Sequence, residues 1–404
     1  MVEKRQIIRL LIISHKSPYA PIDGGVLAVR NFFEALCLDK EIEVEMVCLE
    51  TNKHPHLPNK NTFENRIEAK YINTDLNKKD ALLSLFKGES YNLNRFYSKG
   101  ISREICDKIV ENQYDFILFE SLFSTVYLKD IKKIYKGKLL YRSHNVEHHI
   151  WEKLAKSTSF LPKKWYLNKL ASDLKSYEED IHGAFDAIFP ISKVDVEYYK
   201  TCVDQKVDIR LLYFIRDQRD REEQLNTNHF FHLASMDWQP NLDAVDWFVN
   251  EVWKPLHNQR PDLTLHLAGK SMPKTYFEMD QFGIKAYDYV EDGDAFMQNH
   301  GTLLVPLFSG SGIRIKVVDA LSLNVPFIST SLGVSGIDLE SEKHYLNAET
   351  KADFKKQILR IVKKEVDCLE MVENSKIFAE QHFQSESVVQ TFKNQLRKLY
   401  SIEA

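Results

Sequence analysis

Between Val305 and Asp319 the chain reads Val-Pro-Leu-Phe-Ser-Gly-Ser-Gly-Ile-Arg-Ile-Lys-Val-Val-Asp. The pattern is a short apolar strand, Leu303 to Leu307, that breaks into Ser309-Gly310-Ser311-Gly312. A helix is expected to follow at once, starting at Gly312–Ile313, with Ile313, Val317, Ala320 and Leu321 on one face. Glycines let backbone amides come close to a ligand. A helix start adds unpaired N–H groups and a partial positive charge. Arg314 and Lys316 place two full cations in that first turn, where positive charge is unfavourable unless an anion arrives. A phosphate is the expected anion. A lone Gly-Ser-Gly would read as a turn with solvated charges; strand, loop, helix start and paired cations together favour the phosphate.

Other loops at strand ends carry chemistry of the same kind. After the first strand, Ser14 to Gly24-Gly25 opens a helix at Val26. It is not a dinucleotide-binding glycine pattern, which counts against a dehydrogenase. Gly24 and Gly25 can put amides against a phosphate or sugar, or serve as a flexible helix entry. After the run Lys138–Arg142 comes Ser143-His144-Asn145-Val146-Glu147-His148-His149. Three histidines invite a metal site, but no matching acidic or cysteine spacing accompanies them. His144 at the strand end reads as functional, Asn145 as a helix cap, and His148 and His149 as solvated. Met236 to Asn241 reads as an ordinary helix start. Lys163-Lys-Trp-Tyr-Leu-Asn-Lys-Leu170 mixes bases and aromatics. It is read first as a simple amphipathic helix, and second as a segment that rests on an anionic membrane surface.

The elements that must position these residues are apolar runs alternating with helical patterns. They are Ile7–Ile13, Val44–Leu49, Phe116–Phe119, Lys138–Arg142, Ala187–Ile191, Phe230–Ser235, Leu263–Ala268, Thr302–Leu307 and Pro326–Thr330. Such runs predict parallel sheets covered on both faces, and Phe230 to Gly269 is a βαβ unit by length and pattern. Nine or so strands exceed one doubly wound sheet, so two similar α/β halves are expected, with the charged stretch Asp204 to Asn228 as linker. Ser375 to Tyr400 reads as helical, with Phe378, Phe383, Val388, Phe392, Leu396 and Leu399 as its apolar positions.

Composition bounds the function. The chain has 404 residues, 44 % hydrophobic and 28 % charged, as expected of a soluble globular protein of about two to three domains. A net charge of -4 gives no global nucleic-acid signal. Five scattered cysteines, Cys37, Cys48, Cys106, Cys202 and Cys368, fit a reducing compartment. The apolar run after the N-terminus is too short for a membrane span and wrongly flanked for a signal peptide, so it reads as the first buried strand.

Taken in order, Gly24-Gly25, Arg142 to Glu147, Pro190-Ile-Ser192, Ser235 to Asn241, Val290-Glu-Asp292, Pro306 to Asp319, Pro326 and Gly333 resemble a GT-B glycosyltransferase of the retaining family 4 type, the glycosyl transferases group 1. The resemblance spans most of the chain. It implies two Rossmann-like, doubly wound parallel-sheet domains facing a central cleft. The acceptor domain would cover 1–205, the nucleotide-sugar domain 206–374, and a helix over 375–404 would cross back to the first. It further implies a hexosyl transfer, with retention, from a UDP- or GDP-linked sugar to an acceptor hydroxyl in surface polysaccharide or glycan biosynthesis. On this reading His144, Arg314 and Lys316 are catalytic. Gly24, Gly25, Val290, Ser309, Gly310, Ser311, Gly312 and Asp319 bind donor, and Asn145 and Glu147 lie toward the acceptor or sugar. Neither a cofactor nor a metal is expected. A cytoplasmic protein is expected, with no nucleic-acid partner. A lipid-linked glycan acceptor and peripheral contact with the inner face of the cytoplasmic membrane stay open.

Two departures from the family pattern matter. The usual glutamates eight positions apart are here Ser311 and Asp319. The usual Arg and Lys after the first strand of the second domain are absent from Asp237-Trp-Gln-Pro-Asn241. Arg314 and Lys316 are therefore expected to supply the charge. Two alternatives keep the fold: a non-catalytic subunit binding a partner enzyme or glycan, and a sugar-nucleotide epimerase of the GT-B type.

Overall fold

The computed structural model describes residues 7–21, 23–57, 63–75, 91–219, 225–310 and 312–401. The chain divides into two compact units, Met1–Ile215 with Val388–Ala404, and Arg216–Ser387.

In the first unit, seven strands form one sheet in the order β3-β2-β1-β4-β5-β6-β7. They are β1 Ile8–Ser14, β2 Ile42–Glu50, β3 Ile67–Tyr71, β4 Phe116–Glu120, β5 Lys138–Ser143, β6 Ala187–Pro190 and β7 Asp208–Ile209. Every adjacent pair is parallel. A strand's side chains alternate between faces, so a sheet covered on both sides needs continuous apolar runs. Leu11, Ile13, Ile117 and Phe119 enter one core with the helix Lys99–Asn112. Leu10, Ile12, Phe116 and Leu118 enter the other, against Val29, Phe32 and Phe33 of the helix Gly24–Leu38. That second core is completed by Val388, Val389, Phe392, Leu396 and Leu399 of the helix Ser385–Ser401.

In the second unit, six strands run β10-β9-β8-β11-β12-β13, again with every adjacent pair parallel. They are β8 His229–Leu233, β9 Thr264–Ala268, β10 Ile284–Tyr287, β11 Thr302–Val305, β12 Phe327–Ser329 and β13 Leu346–Asn347. Phe230, Leu265, Leu267, Leu304 and Ile328 pack one face against Phe248, Val249, Val252, Trp253 and Phe354.

Several expectations are corrected. The stretch Asp204 to Asn228 is not simply a linker. Asp208–Ile209 pairs with β6, the Arg210 and Leu212 amides donate to Ile188 and Pro190, and Leu212 and Ile215 are core residues. Residues 220–224 of that stretch lie outside the described residues. The tail is two helices, Cys368–His382 and Ser385–Ser401, and the chain returns to the first unit at Val388 rather than at 375. Ser375 is buried in the second unit, its hydroxyl donating to the His344 carbonyl at 2.8 Å. All five cysteines are free.

Candidate functional site

Both sheets reverse their winding direction at one place, between β1 and β4 and between β8 and β11. In open α/β sheets the crevice beyond the strands' carboxyl ends at such a reversal is where ligands bind.

At the β8/β11 reversal the ladder runs only through Thr302–Phe230 and Leu303–Phe231. Beyond it, the imidazole of His232 takes over the pairing: its Nδ1–H donates to the Leu304 carbonyl at 2.8 Å. Burial, then Lys316, holds His232 well below its ordinary pKa, so the ring is neutral. With Nδ1 as donor, Nε2 presents a lone pair, and Lys316 Nζ lies 3.2 Å from it. Asn241 Oδ1 accepts from the same ammonium at 3.3 Å, while its own Nδ2 donates to the Ser235 carbonyl. Lys316 is thus held by two neutral groups. Among the described residues no carboxylate pairs with it. Burial, then the neighbouring Arg314, pushes its pKa down to about 7. A half-buried ammonium without a counter-anion carries part of the cost of desolvation, and an arriving anion relieves it.

The helix carrying Lys316 spans Ile315–Ser322, with Arg314 at its cap position. The expected start at Gly312–Ile313 is therefore three residues early, because the chain stays extended through Arg314, at φ -86° and ψ 102°. Arg314 is 5 % exposed and its guanidinium donates to the Gly312 carbonyl. The loop before it depends on glycine: Gly310 and Gly312 have φ of 116° and 75°. A Cβ on Gly310 would stand 2.8 Å from the Trp238 ring. Ser309 is exposed and Val290 half-exposed, in the loops after β11 and β10. Ser311 lies outside the described residues.

Asp319 is not free to turn wholly toward a ligand. Arg216 Nε donates to its Oδ1 at 2.7 Å, and the same guanidinium reaches Asp294 at 2.5 Å. Burial raises the Asp319 pKa to about 6, against the pull of Arg216.

The first unit gathers a second polar cluster at the β1/β4 reversal and the adjoining end of β5. Glu120 closes β4 fully buried, and one of its oxygens accepts from Arg142 at 2.6 Å and from His144 Nε2 at 2.5 Å. Burial opposes its charge, but Arg142 and His144 keep its pKa low. Arg142 also lies 4.3 Å over the Phe32 ring. Burial lowers His144 below its ordinary value. His15, directly after β1, meets the Ser121 hydroxyl at 2.6 Å. Lys16 Nζ lies 3.4 Å from Asp23, which caps the Gly24–Leu38 helix by accepting from the Val26 amide at 2.7 Å. Against its burial, Lys16, that amide and His54 hold Asp23 at about 2. Gly25 leaves room for Lys16: a Cβ there would meet Nζ at 2.8 Å.

Asn145 does not cap the helix Glu147–Ser157, whose cap position is Val146. Glu178, from the helix Leu161–His182, does the capping from outside, accepting from the Glu147 amide at 2.9 Å and the His148 amide at 3.3 Å. His148 is 1 % exposed and pairs through Nδ1 with Glu178, which corrects its expected solvated place; His149 is half-buried against His148 and Tyr198. Burial and the neighbouring Glu178 raise Glu147 to about 7.

Sequence reasoning missed His232, Asn241, Glu120, His15 and Lys16. A signal was present for Glu120, an acid ending an apolar run, and for His15-Lys16, two polar residues directly after a strand. His232 sits inside an apolar run, where an imidazole reads as a core residue. Among the described residues no group of three or more His, Cys, Asp or Glu side chains is placed to hold a metal ion.

Two Rossmann-like parallel sheets of this kind define the GT-B class, and solved structures carry the same fold. Sucrose-phosphate synthase from Thermosynechococcus elongatus superposes with a TM-score of 0.67 at 14 % identity, over 98 % of this chain and 100 % of that one. Anabaena HepE in complex with UDP gives 0.63 at 12 % identity, over 97 % and 100 %. The lipopolysaccharide outer core galactosyltransferase WaaB gives 0.61 at 14 % identity, over 97 % and 99 %. Residues 227–364, within the second unit, match the family Glycosyl transferases group 1. An uncharacterized 44.6 kDa protein in the cps region of Klebsiella pneumoniae is 24 % identical over 289 residues, 69 % of this chain and 73 % of that protein.

Proposed function

We propose that this protein is a retaining hexosyltransferase that moves a sugar from a nucleoside diphosphate to an acceptor hydroxyl in surface polysaccharide or glycan biosynthesis. The observation that carries the reading is Lys316, a half-buried ammonium held by neutral His232 and Asn241 at the β8/β11 reversal. A diphosphate is the counter-anion its surroundings lack. HepE, of the same fold, is seen with UDP and with UDP and glucose, and the Klebsiella relative is encoded in a cps region.

In the reaction the sugar C1–O bond to the diphosphate breaks and a bond from C1 to the acceptor oxygen forms on the same face. The departing phosphate oxygen takes the acceptor's proton. Lys316 and Arg314 stabilise the charge growing on the diphosphate, each by roughly 2–4 kcal/mol. They supply charge that a metal would otherwise bring, so the reaction is read as metal-independent. Gly310, Gly312 and Ser309 shape the donor loop, Ser311 belongs to the same run, and Val290 meets the base through its backbone. Gly24 and Gly25 offer amides, and His144, with Asn145 and Glu147, serves the transferred sugar and acceptor.

Thermal shifts with a panel of nucleoside diphosphates and nucleotide sugars, with and without EDTA, test this. A shift of several degrees by one nucleotide class, unchanged by EDTA and absent in Arg314→Ala/Lys316→Ala, is the expected result. No shift with any member would overturn the donor assignment, and loss of the shift in EDTA would overturn metal independence. Turnover of a sugar nucleotide to its epimer without acceptor would make the protein an epimerase instead.

A further inference from the structure

The helices Glu147–Ser157 and Leu161–His182 pack against each other as a hairpin. Its inner positions are filled: Ala155, Leu167, Leu170, Ala171 and Leu174 are buried. Its tip is not. Leu154, Phe160, Leu161 and Trp165 are 43, 66, 75 and 64 % exposed. Three of them, Phe160, Leu161 and Trp165, lie within six residues, and Leu161 and Trp165 share a face at a spacing of four. Single exposed apolar residues are ordinary, but three within six residues at a tip mark an interaction surface.

The charge around them identifies what they meet. From Lys153 to Ala171 the chain has five lysines, Lys153, Lys156, Lys163, Lys164 and Lys169, and no acid. Lys169 is paired with Asp173. This run stands in a protein of net charge -4, so it is a local concentration and not a reflection of overall composition. Apolar and aromatic tips ringed by lysines match a bilayer of anionic lipid. The side chains enter the acyl boundary, Trp165 takes the interfacial level, and the lysines meet headgroup phosphates. An acidic protein would match the lysines but leaves the cluster of Phe160, Leu161 and Trp165 without a stated counterpart.

We propose that the tip of this hairpin docks on an anionic lipid surface through Phe160, Leu161 and Trp165, with Lys153, Lys156, Lys163 and Lys164 as its electrostatic partners. The docking is peripheral: among the described residues no helix is long and apolar enough to cross a membrane. The root of the hairpin carries Glu147, His148 and Glu178, three to four residues beyond His144 in the case of the first two. The inference does not depend on the sugar-transfer reading, because binding is measured without donor or acceptor.

The test is cosedimentation of the full chain with vesicles of phosphatidylcholine alone and of an equimolar mixture of phosphatidylcholine and phosphatidylglycerol. Binding to the mixed vesicles only, weakened by salt, is expected. Lys163→Glu/Lys164→Glu should bind at least about tenfold more weakly. Phe160→Ser/Leu161→Ser/Trp165→Ser should lose binding while keeping wild-type circular dichroism. The blue shift of tryptophan emission on binding should vanish in Trp165→Phe. No binding by the wild type, or equal binding to both vesicles, overturns the proposal. So does a dimer, seen by light scattering, that the triple serine variant abolishes, because the tip is then an interface between copies.

Discussion

Lys316 is both the centre of the proposed donor site and a cost to the stability of the second unit. Its folded pKa of about 7 lies below the ordinary lysine value, so the unfolded chain binds the extra proton more readily. Stability from this group therefore rises as pH increases from about 7 toward the ordinary value, and its penalty is full below 7. Lys316→Met should raise the Tm of the ligand-free protein at pH 6 by about 2–4 °C, while abolishing the nucleotide-induced shift. A stabilised variant that still binds diphosphate would remove Lys316 from the site. Ligand binding should also take up a proton, because the diphosphate pulls the ammonium pKa back up. Calorimetry at pH 8 in buffers of differing ionisation enthalpy should show uptake approaching one proton per diphosphate bound.

At the scale of elements, the site is made by strand ends and by caps supplied from elsewhere. Glu178 caps the helix that follows β5, although it lies on the next helix, and it also accepts from His148 Nδ1. Glu178→Ala should leave two amides and an imidazole without their acceptor, a loss of about 1–3 kcal/mol. Hydrogen exchange at Glu147 and His148 should quicken by roughly tenfold or more. Unchanged protection would mean that Glu178 is not the cap.

At the scale of the whole molecule, the last helix belongs to the core of the first unit. Val388, Phe392, Leu396 and Leu399 lie against Leu10, Ile12, Phe32 and Phe189. Burial of such side chains is worth roughly 1.5–3 kcal/mol each, so four together rival the whole stability of a domain. Ending the chain at Ser387 should abolish the cooperative unfolding transition of the first unit in calorimetry. The second unit, Arg216–Ser387, should keep its own transition and its diphosphate shift.

What was legible in the sequence follows from burial. All nine strands expected from apolar runs are present, because each is covered on both faces and must be apolar throughout. The four that were missed, Ile67–Tyr71, Asp208–Ile209, Ile284–Tyr287 and Leu346–Asn347, are the four sheet edges. An edge strand is short or partly wetted, so its composition carries no such run. The glycine loop was legible for a related reason: Gly310 and Gly312 occupy backbone conformations that favour glycine, and the adjacent cations stand out against an apolar run. The parallel α/β organisation, the glycine loop and the mixture of bases and aromatics in Lys163–Leu170 were thus determined by the sequence alone, since each is a local pattern. Only the tertiary structure decided that Lys316 is held by His232 and Asn241, that Asp319 is paired with Arg216, and that Glu120 joins Arg142 to His144. Those partners lie 22 to 103 residues apart or on separate strands, and only folding brings them within hydrogen-bond reach.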